Sequence, residues 1–247
     1  MNFLKEERLW PAGVFVAGLI LYTFTLAPGL LWGGGDFATF QTRAWLGDFL
    51  ADPSIFGHGL WVLVAHPFTW LPINDPAWRA NFAAAVFGSA ALALLYLSAR
   101  RISGSRAGAL LGVAALALSH TFWTYAVMPK VYSLNALLLA LCVYLLLRWR
   151  EEKRDRLLYL FGFVWGVSFF NHLVMGVTAA GFALFVLMTV WQQRRGWARL
   201  GPLLATPLFV ALGLSPYLFF IAQEGTATGT GSTVISFVGG LGYAFTN

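Results

Sequence analysis

The sequence predicts an all-α integral membrane protein with about seven transmembrane helices and a large first outer loop carrying interfacial helices. Three observations lead there. The 247 residues are 59% hydrophobic and only 11% charged, against about 25% charged in a soluble domain, and the mean hydropathy is +0.71. The apolar residues lie in continuous runs near the roughly 20 residues that a helical crossing needs, without the alternation of a barrel strand. The basic residues cluster between alternate runs, as the positive-inside rule requires.

The first run, residues 9–27, follows a short charged start that includes Lys5 and Arg8. It is too long for a signal-peptide core and no small-residue cleavage site follows, so it reads as a retained span. Further spans are predicted at residues 78–99, 107–126, 131–149, 157–170, 173–191 and 202–222. The fifth is short, and its boundary with the sixth falls at Asn171-His172. With seven crossings, thirteen of the sixteen Lys and Arg residues fall on one side, leaving Arg43, Arg79 and Lys130 on the other. The N-terminus is therefore expected in the cytoplasm, in a multi-pass protein of the cell inner membrane whose first loop is periplasmic or extracellular. The net charge of +6 is then a topology signal, and no nucleic-acid partner is expected.

Residues 28–77 form the outer loop. In it Phe37, Phe40, Ala44 and Trp45 recur at helical spacing, predicting a helix in the interface plane. Asp52-Pro53 breaks that pattern. Residues 57–71 make a second apolar piece, too short to cross, that re-enters or lies at the surface. Residues 122–130 read as a short outer loop. Residues 1–222 thus make up the transmembrane domain. Residues 223–247, rich in Gly and Thr, read as a flexible outer-face tail or as the start of a further part.

The chemistry centres on Trp32-Gly-Gly-Gly-Asp36. Glycines allow the chain to bend and present the acid at the membrane rim, where it can serve as a general base. The plainer reading is a helix N-cap. Arg43, His58, Lys130, Tyr132, Asn171 and His172 gather on the same predicted face. Arg43, Lys130 or a His can neutralise a lipid phosphate, or the two cations can snorkel to headgroups. His172 can equally make a packing hydrogen bond, and His66 and His120 read as interfacial or packing residues. The lone Cys142 supports neither a disulfide framework nor a cysteine metal site. No P-loop, HExxH or GxSxG motif occurs, so no cofactor or metal site is expected, although the sequence is silent on a helper divalent ion. No span carries a mid-membrane acid, which ranks a transporter last.

Four stretches carry a resemblance: Thr25-Leu-Ala-Pro-Gly-Leu-Leu-Trp-Gly-Gly-Gly-Asp-Phe-Ala-Thr-Phe-Gln41, Pro76-Ala-Trp-Arg-Ala-Asn81, Val131-Tyr-Ser-Leu-Asn-Ala136 and Gly166-Val-Ser-Phe-Phe-Asn-His-Leu173. In that order the chain resembles the GT-C superfamily of membrane glycosyltransferases, most closely the protein O-mannosyltransferase-like transmembrane family. The resemblance implies a GT-C-like core, of which this chain holds the N-terminal part. It implies transfer of a sugar from a polyprenyl-phosphate donor to a protein or glycan hydroxyl at the outer face, with Asp36 as catalytic base and membrane lipid as surroundings. The chain departs from the family pattern at three places. Thr39 stands where the family has Glu, Lys130 replaces an acid before Val-Tyr-Ser, and only Gly57 remains of a His-Pro-Pro-Gly-Tyr-Pro run. These departures keep open an alternative: a degenerate, non-catalytic GT-C-like subunit with partners in a larger membrane complex.

Overall fold

A computed structural model describes residues 2–31, 37–48, 58–192 and 200–227. Every described element is helical. They are α1 (Asn2–Phe24), α2 (Phe37–Leu46), α3 (Gly59–Ala65) with the 3-10 helix His66–Trp70, α4 (Pro76–Ser103), α5 (Arg106–Ala117), α6 (His120–Ala126), α7 (Val131–Glu152), α8 (Asp155–Ser168), the 3-10 helix Leu173–Thr178, α9 (Ala179–Gln192) and α10 (Leu200–Ala227). Four stretches are long and apolar enough to cross a membrane: Pro76–Ser103, Val131–Glu152, Leu173–Gln192 and Gly201–Phe219. Paired, α5 and α6 would make a fifth. The apolar part of α1, Leu9–Phe24, and the 14-residue α8 are shorter.

Three sequence readings change in detail. The predicted span 107–126 is broken: α5 and α6 meet at a bend of 69°. The cause is local. Ser119 takes an extended conformation, and its hydroxyl donates to Leu116 O at 2.7 Å, so the hydroxyl competes with helix continuation. Residues 122–126, read both as the end of that span and as the start of the outer loop 122–130, are helical in α6, where the chain restarts after the bend. At the other end, α10 runs to Ala227, beyond the expected span end at residue 222. The Asp52-Pro53 break, Gly57 and residues 228–247 lie outside the described residues. The turn expected at Asn171-His172 is present.

The chain divides into two compact units, residues 1–49 with 61–147 and residues 50–60 with 148–247. In the first, α1 packs along α4, which in turn holds α2, α5 and α6. Its shared core includes Tyr22, Leu92, Tyr96, Val113 and Val127. Small residues let the backbones approach, as in other membrane helix pairs: a Cβ on Gly88 would stand 3.0 Å from Ala126 Cβ. The ends of this unit are distinct. The Arg106 guanidinium lies 5.2 Å over the Trp10 ring, beside the last turn of α4 with Arg100 and Arg101. At the far end, Ala27 N donates to Val127 O at 3.3 Å, and Trp123 Nε1 donates to Thr25 Oγ1 at 3.0 Å. In the second unit, α8 packs closely on α10, and Trp165 Nε1 donates to Met175 O at 3.2 Å and Thr178 Oγ1 at 3.1 Å. On α9 and α10, leucines such as Leu184, Leu187, Leu204 and Leu208 are exposed, as lipid-facing residues are.

Candidate functional site

At the far end of the first unit, the chain leaving α1 is held by two buried amides. Gln41, on α2, is 2% exposed and Asn81, on α4, is 0% exposed. Leu31 N donates to Gln41 Oε1 at 3.1 Å, and Gln41 Nε2 donates to Gly29 O at 3.0 Å and to Asn81 Oδ1 at 2.8 Å. Asn81 Nδ2 donates to Ala27 O at 2.9 Å and Gly29 O at 3.2 Å. Each amide atom has a fixed polarity: carbonyls of the chain meet N–H groups, and the one chain N–H meets an oxygen. Asp36 itself lies outside the described residues, in 32–36, but both flanks of that stretch are described. Leu31 is bonded to Gln41, and Phe37 opens the helix on which Gln41 stands one turn later.

The helix α2 forms as its spacing predicts, with Phe40 and Ala44 buried and Trp45 exposed. The Lys130 ammonium sits 4.8 Å over the Phe37 ring and 6.0 Å from that of Phe40, a cation–π placement. Positive charge therefore stands beside the residue that follows Asp36. The Arg43 guanidinium donates to Asp48 Oδ2 at 2.9 Å. Gly47 closes this turn with φ +69°, and a Cβ there would be 2.9 Å from His66 Cε1. The His66 ring is held by Nδ1 donating to Ala44 O at 2.7 Å. Arg79 binds the loop before α4, donating to Thr69 O at 2.7 Å, Ile73 O at 2.5 Å and Asn74 O at 2.6 Å. Asp75 caps α4 by accepting from Trp78 N at 2.9 Å. Tyr132 lies against Tyr125, ring centres 4.4 Å apart. With Leu116, Thr121, Phe122 and Ser133 the two tyrosines line a cavity of about 310 Å³ at the α5–α6 bend.

In the second unit the structure brings His58, Asn171 and His172 together across more than a hundred residues of chain. His58 Nδ1 contacts Asn171 O at 2.7 Å; a carbonyl only accepts, so Nδ1 carries the proton. Val174 N donates to His172 Nδ1 at 3.1 Å, capping the helix Leu173–Thr178. In neutral His172 the proton is therefore on Nε2. The two rings are 4.9 Å apart. Burial, and then the charge of His58, push the His172 imidazole down to about 4, so it is neutral at physiological pH. Among the described residues, no three His, Cys, Asp or Glu side chains are grouped to hold a metal ion. A separate apolar cavity of about 510 Å³ lies among α8, α9 and α10, lined by residues such as Phe161, Trp165, Phe182, Leu203 and Val210.

Gln41 and Asn81 had no site role in the sequence reading. The available signal was their place as the last residues of two resemblance stretches, in a region otherwise apolar.

Several long apolar helices with lipid-type outer faces, and a polar end built on a short amphipathic helix, define a multi-pass membrane protein. Residues 56–195 match the family described as "Protein O-mannosyl-transferase TMEM260 N-terminal domain", and the chain belongs to that family. It is 29% identical over 212 residues to a Mus musculus protein named protein O-mannosyl-transferase TMEM260, a match covering 83% of this chain and 29% of that protein. A Dictyostelium discoideum protein of the same name is 25% identical over 233 residues, covering 83% of this chain and 26% of the relative. The chain thus spans under a third of the length of these relatives. No solved structure matches it.

Proposed function

We propose that the chain forms the membrane core of a glycosyltransferase that moves a sugar, mannose by kinship, from a polyprenyl phosphate to a protein or glycan hydroxyl at the outer face. Asp36 takes the proton of the acceptor hydroxyl, and the acceptor oxygen attacks the anomeric carbon with inversion. The bond from that carbon to the phosphate oxygen breaks, and the lipid phosphate departs with the electron pair. Lys130, whose ammonium lies beside the Phe37 ring, and Arg43 are the cations that meet the phosphate. His58, Asn171, His172 and Tyr132 serve as polar contacts to substrate. The apolar cavity among α8–α10 suits a stretch of isoprenoid chain. In this reading the chain crosses the inner membrane seven times, with the N-terminus cytoplasmic and residues 28–77 outside. The observation that carries the proposal is the family match over residues 56–195, and the tethering of both flanks of 32–36 supports the place given to Asp36.

The test is Asp36→Asn. It should express and fold normally yet no longer release polyprenyl phosphate from polyprenyl-phosphate mannose in the presence of Ser/Thr peptides. Unchanged release removes Asp36 from the reaction. A second reading, a non-catalytic scaffold within a larger membrane complex, is favoured by the departures of Thr39 and Lys130 from the pattern of the family the sequence resembles. It predicts stable co-purifying partners in mild detergent and no turnover by the wild-type chain.

A further inference from the structure

We propose that the turn between α4 and α5, together with Trp10 of α1, is a binding site for the phosphodiester headgroup of an anionic phospholipid. It lies at the other end of the first unit from Gln41 and Asn81 and does not depend on the transferase reading. Pro76–Ser103 is long and apolar enough to cross a membrane, which sets its last turn, with Arg100 and Arg101, at headgroup depth. The chain then turns in a fixed shape. Gly104 closes α4 at φ +67°, its N–H donating to Arg100 O at 3.0 Å. Ser105 caps α5 by accepting from Gly108 N at 3.1 Å, and Arg106 is the first residue of that helix. Three guanidiniums therefore stand within residues 100–106, a stretch with no acid in its sequence. In the first turns of α1, Lys5 and Arg8 balance Glu6 and Glu7 in charge, so the surplus at this end is positive. The arginines are also seated. Arg106 lies 5.2 Å over the Trp10 ring and Arg101 5.4 Å over that of Tyr144, while Arg100 Nη1 donates to Gly104 O. A guanidinium seated on a ring presents its N–H fork around the edge, the geometry that pairs with phosphate oxygens, and it loses less side-chain freedom on binding. Apolar surface adjoins the charge. Leu9 is 69% and Ile102 71% exposed, and Trp10 has the amphipathic ring of an interface anchor. An acidic peptide would leave this surface in water, whereas the acyl chains of a lipid cover it. Basic pockets between helices at a membrane surface take such headgroups.

The test is thermal melting of the full chain in nonionic detergent doped with cardiolipin, with phosphatidylcholine, glycerol 3-phosphate and a Glu-rich peptide as separate arms. Cardiolipin should raise the melting temperature in a saturable way, and the other three should not. Arg106→Gln and Arg100→Gln should each raise the half-saturating cardiolipin concentration on the order of tenfold, the worth of one hydrogen-bonded contact between charged groups. Arg106→Lys keeps the charge but not the fork, and should fall between wild type and Arg106→Gln. Arg156→Gln, at the exposed start of α8, is the control for diffuse attraction and should stay close to wild type. If the glutamine variants melt low without lipid, Trp10→Leu removes the ring under Arg106 and keeps every charge; native mass spectrometry should then show less cardiolipin retained. No cardiolipin shift, a shift that survives both glutamine variants, or an equal loss in Arg156→Gln overturns the proposal. A matching response to phosphatidylcholine does the same. A response to glycerol 3-phosphate as strong as that to cardiolipin overturns the lipid in favour of a soluble phosphate, and a stronger response to the Glu-rich peptide overturns it in favour of a protein partner.

Discussion

Replacing Gly166 with Ala tests the second unit at its tightest point. A Cβ at Gly166 would lie inside van der Waals contact with Val210 O, 2.9 Å from Leu214 N and 3.0 Å from Gly213 Cα. All three are backbone atoms, so no side chain can rotate aside and α8 and α10 must separate. A gap of 0.5–1 Å forfeits about a quarter to a half of each dispersion contact along the seam, which places the cost at the upper end of overpacking, about 3 kcal/mol. Against this, Ala is about 1 kcal/mol better than Gly inside a helix. The net loss is about 2 kcal/mol. At about 2–4 °C per kcal/mol for a chain of this size, melting should fall by about 4–8 °C. Gly213→Ala should behave alike, since its Cβ would press on Phe163 O and stand 2.8 Å from Val167 N. Gly181→Ala on α9 is the control: nothing lies within 4 Å of its Cβ, so only the helix gain remains and melting should hold or rise. The readout is tryptophan fluorescence during thermal unfolding in detergent. If Gly166→Ala and Gly213→Ala melt at or above wild type, the close α8–α10 seam is wrong.

Two further outcomes are expected. His172 is lowered to about 4 in the folded chain from about 6.5 when unfolded, so between these values the unfolded state binds more protons. Stability should therefore fall as pH drops from about 6.5 to 4 and then level, and His172→Gln should flatten that slope in pH-dependent melting; an unchanged slope would show that the burial of His172 is not what sets it. Gly47→Ala forces a Cβ into the left-handed region, costing about 1–2 kcal/mol, and also against the His66 ring. Melting should drop by several degrees, and full retention would deny the turn its described shape.

Much of the fold is legible because it depends on local composition. Apolar runs, the 3.6-residue recurrence of Phe37, Phe40 and Ala44, and the clustering of Arg100, Arg101 and Arg106 are all read within a few residues of one another. The α5–α6 bend was not read, because a single serine in an apolar run leaves the hydropathy of the run almost unchanged. The site was legible only in part. Its residue types stand out against an apolar background, but their grouping does not. Arg43 and Lys130 look equivalent as sequence, yet one is neutralised by Asp48 and the other rests on two phenylalanine rings.

Sequence alone was enough to determine that this chain lives in a membrane and where its basic residues cluster between the apolar runs, since each follows from the cost of moving charge or bare backbone into lipid. Only the tertiary structure decided which polar groups meet. That His58 donates to the backbone beside His172, and that Gln41 and Asn81 close on the same carbonyl, follows from how helices far apart in the chain pack, and hydrogen-bond partners are chosen there by distance and direction rather than by any local pattern.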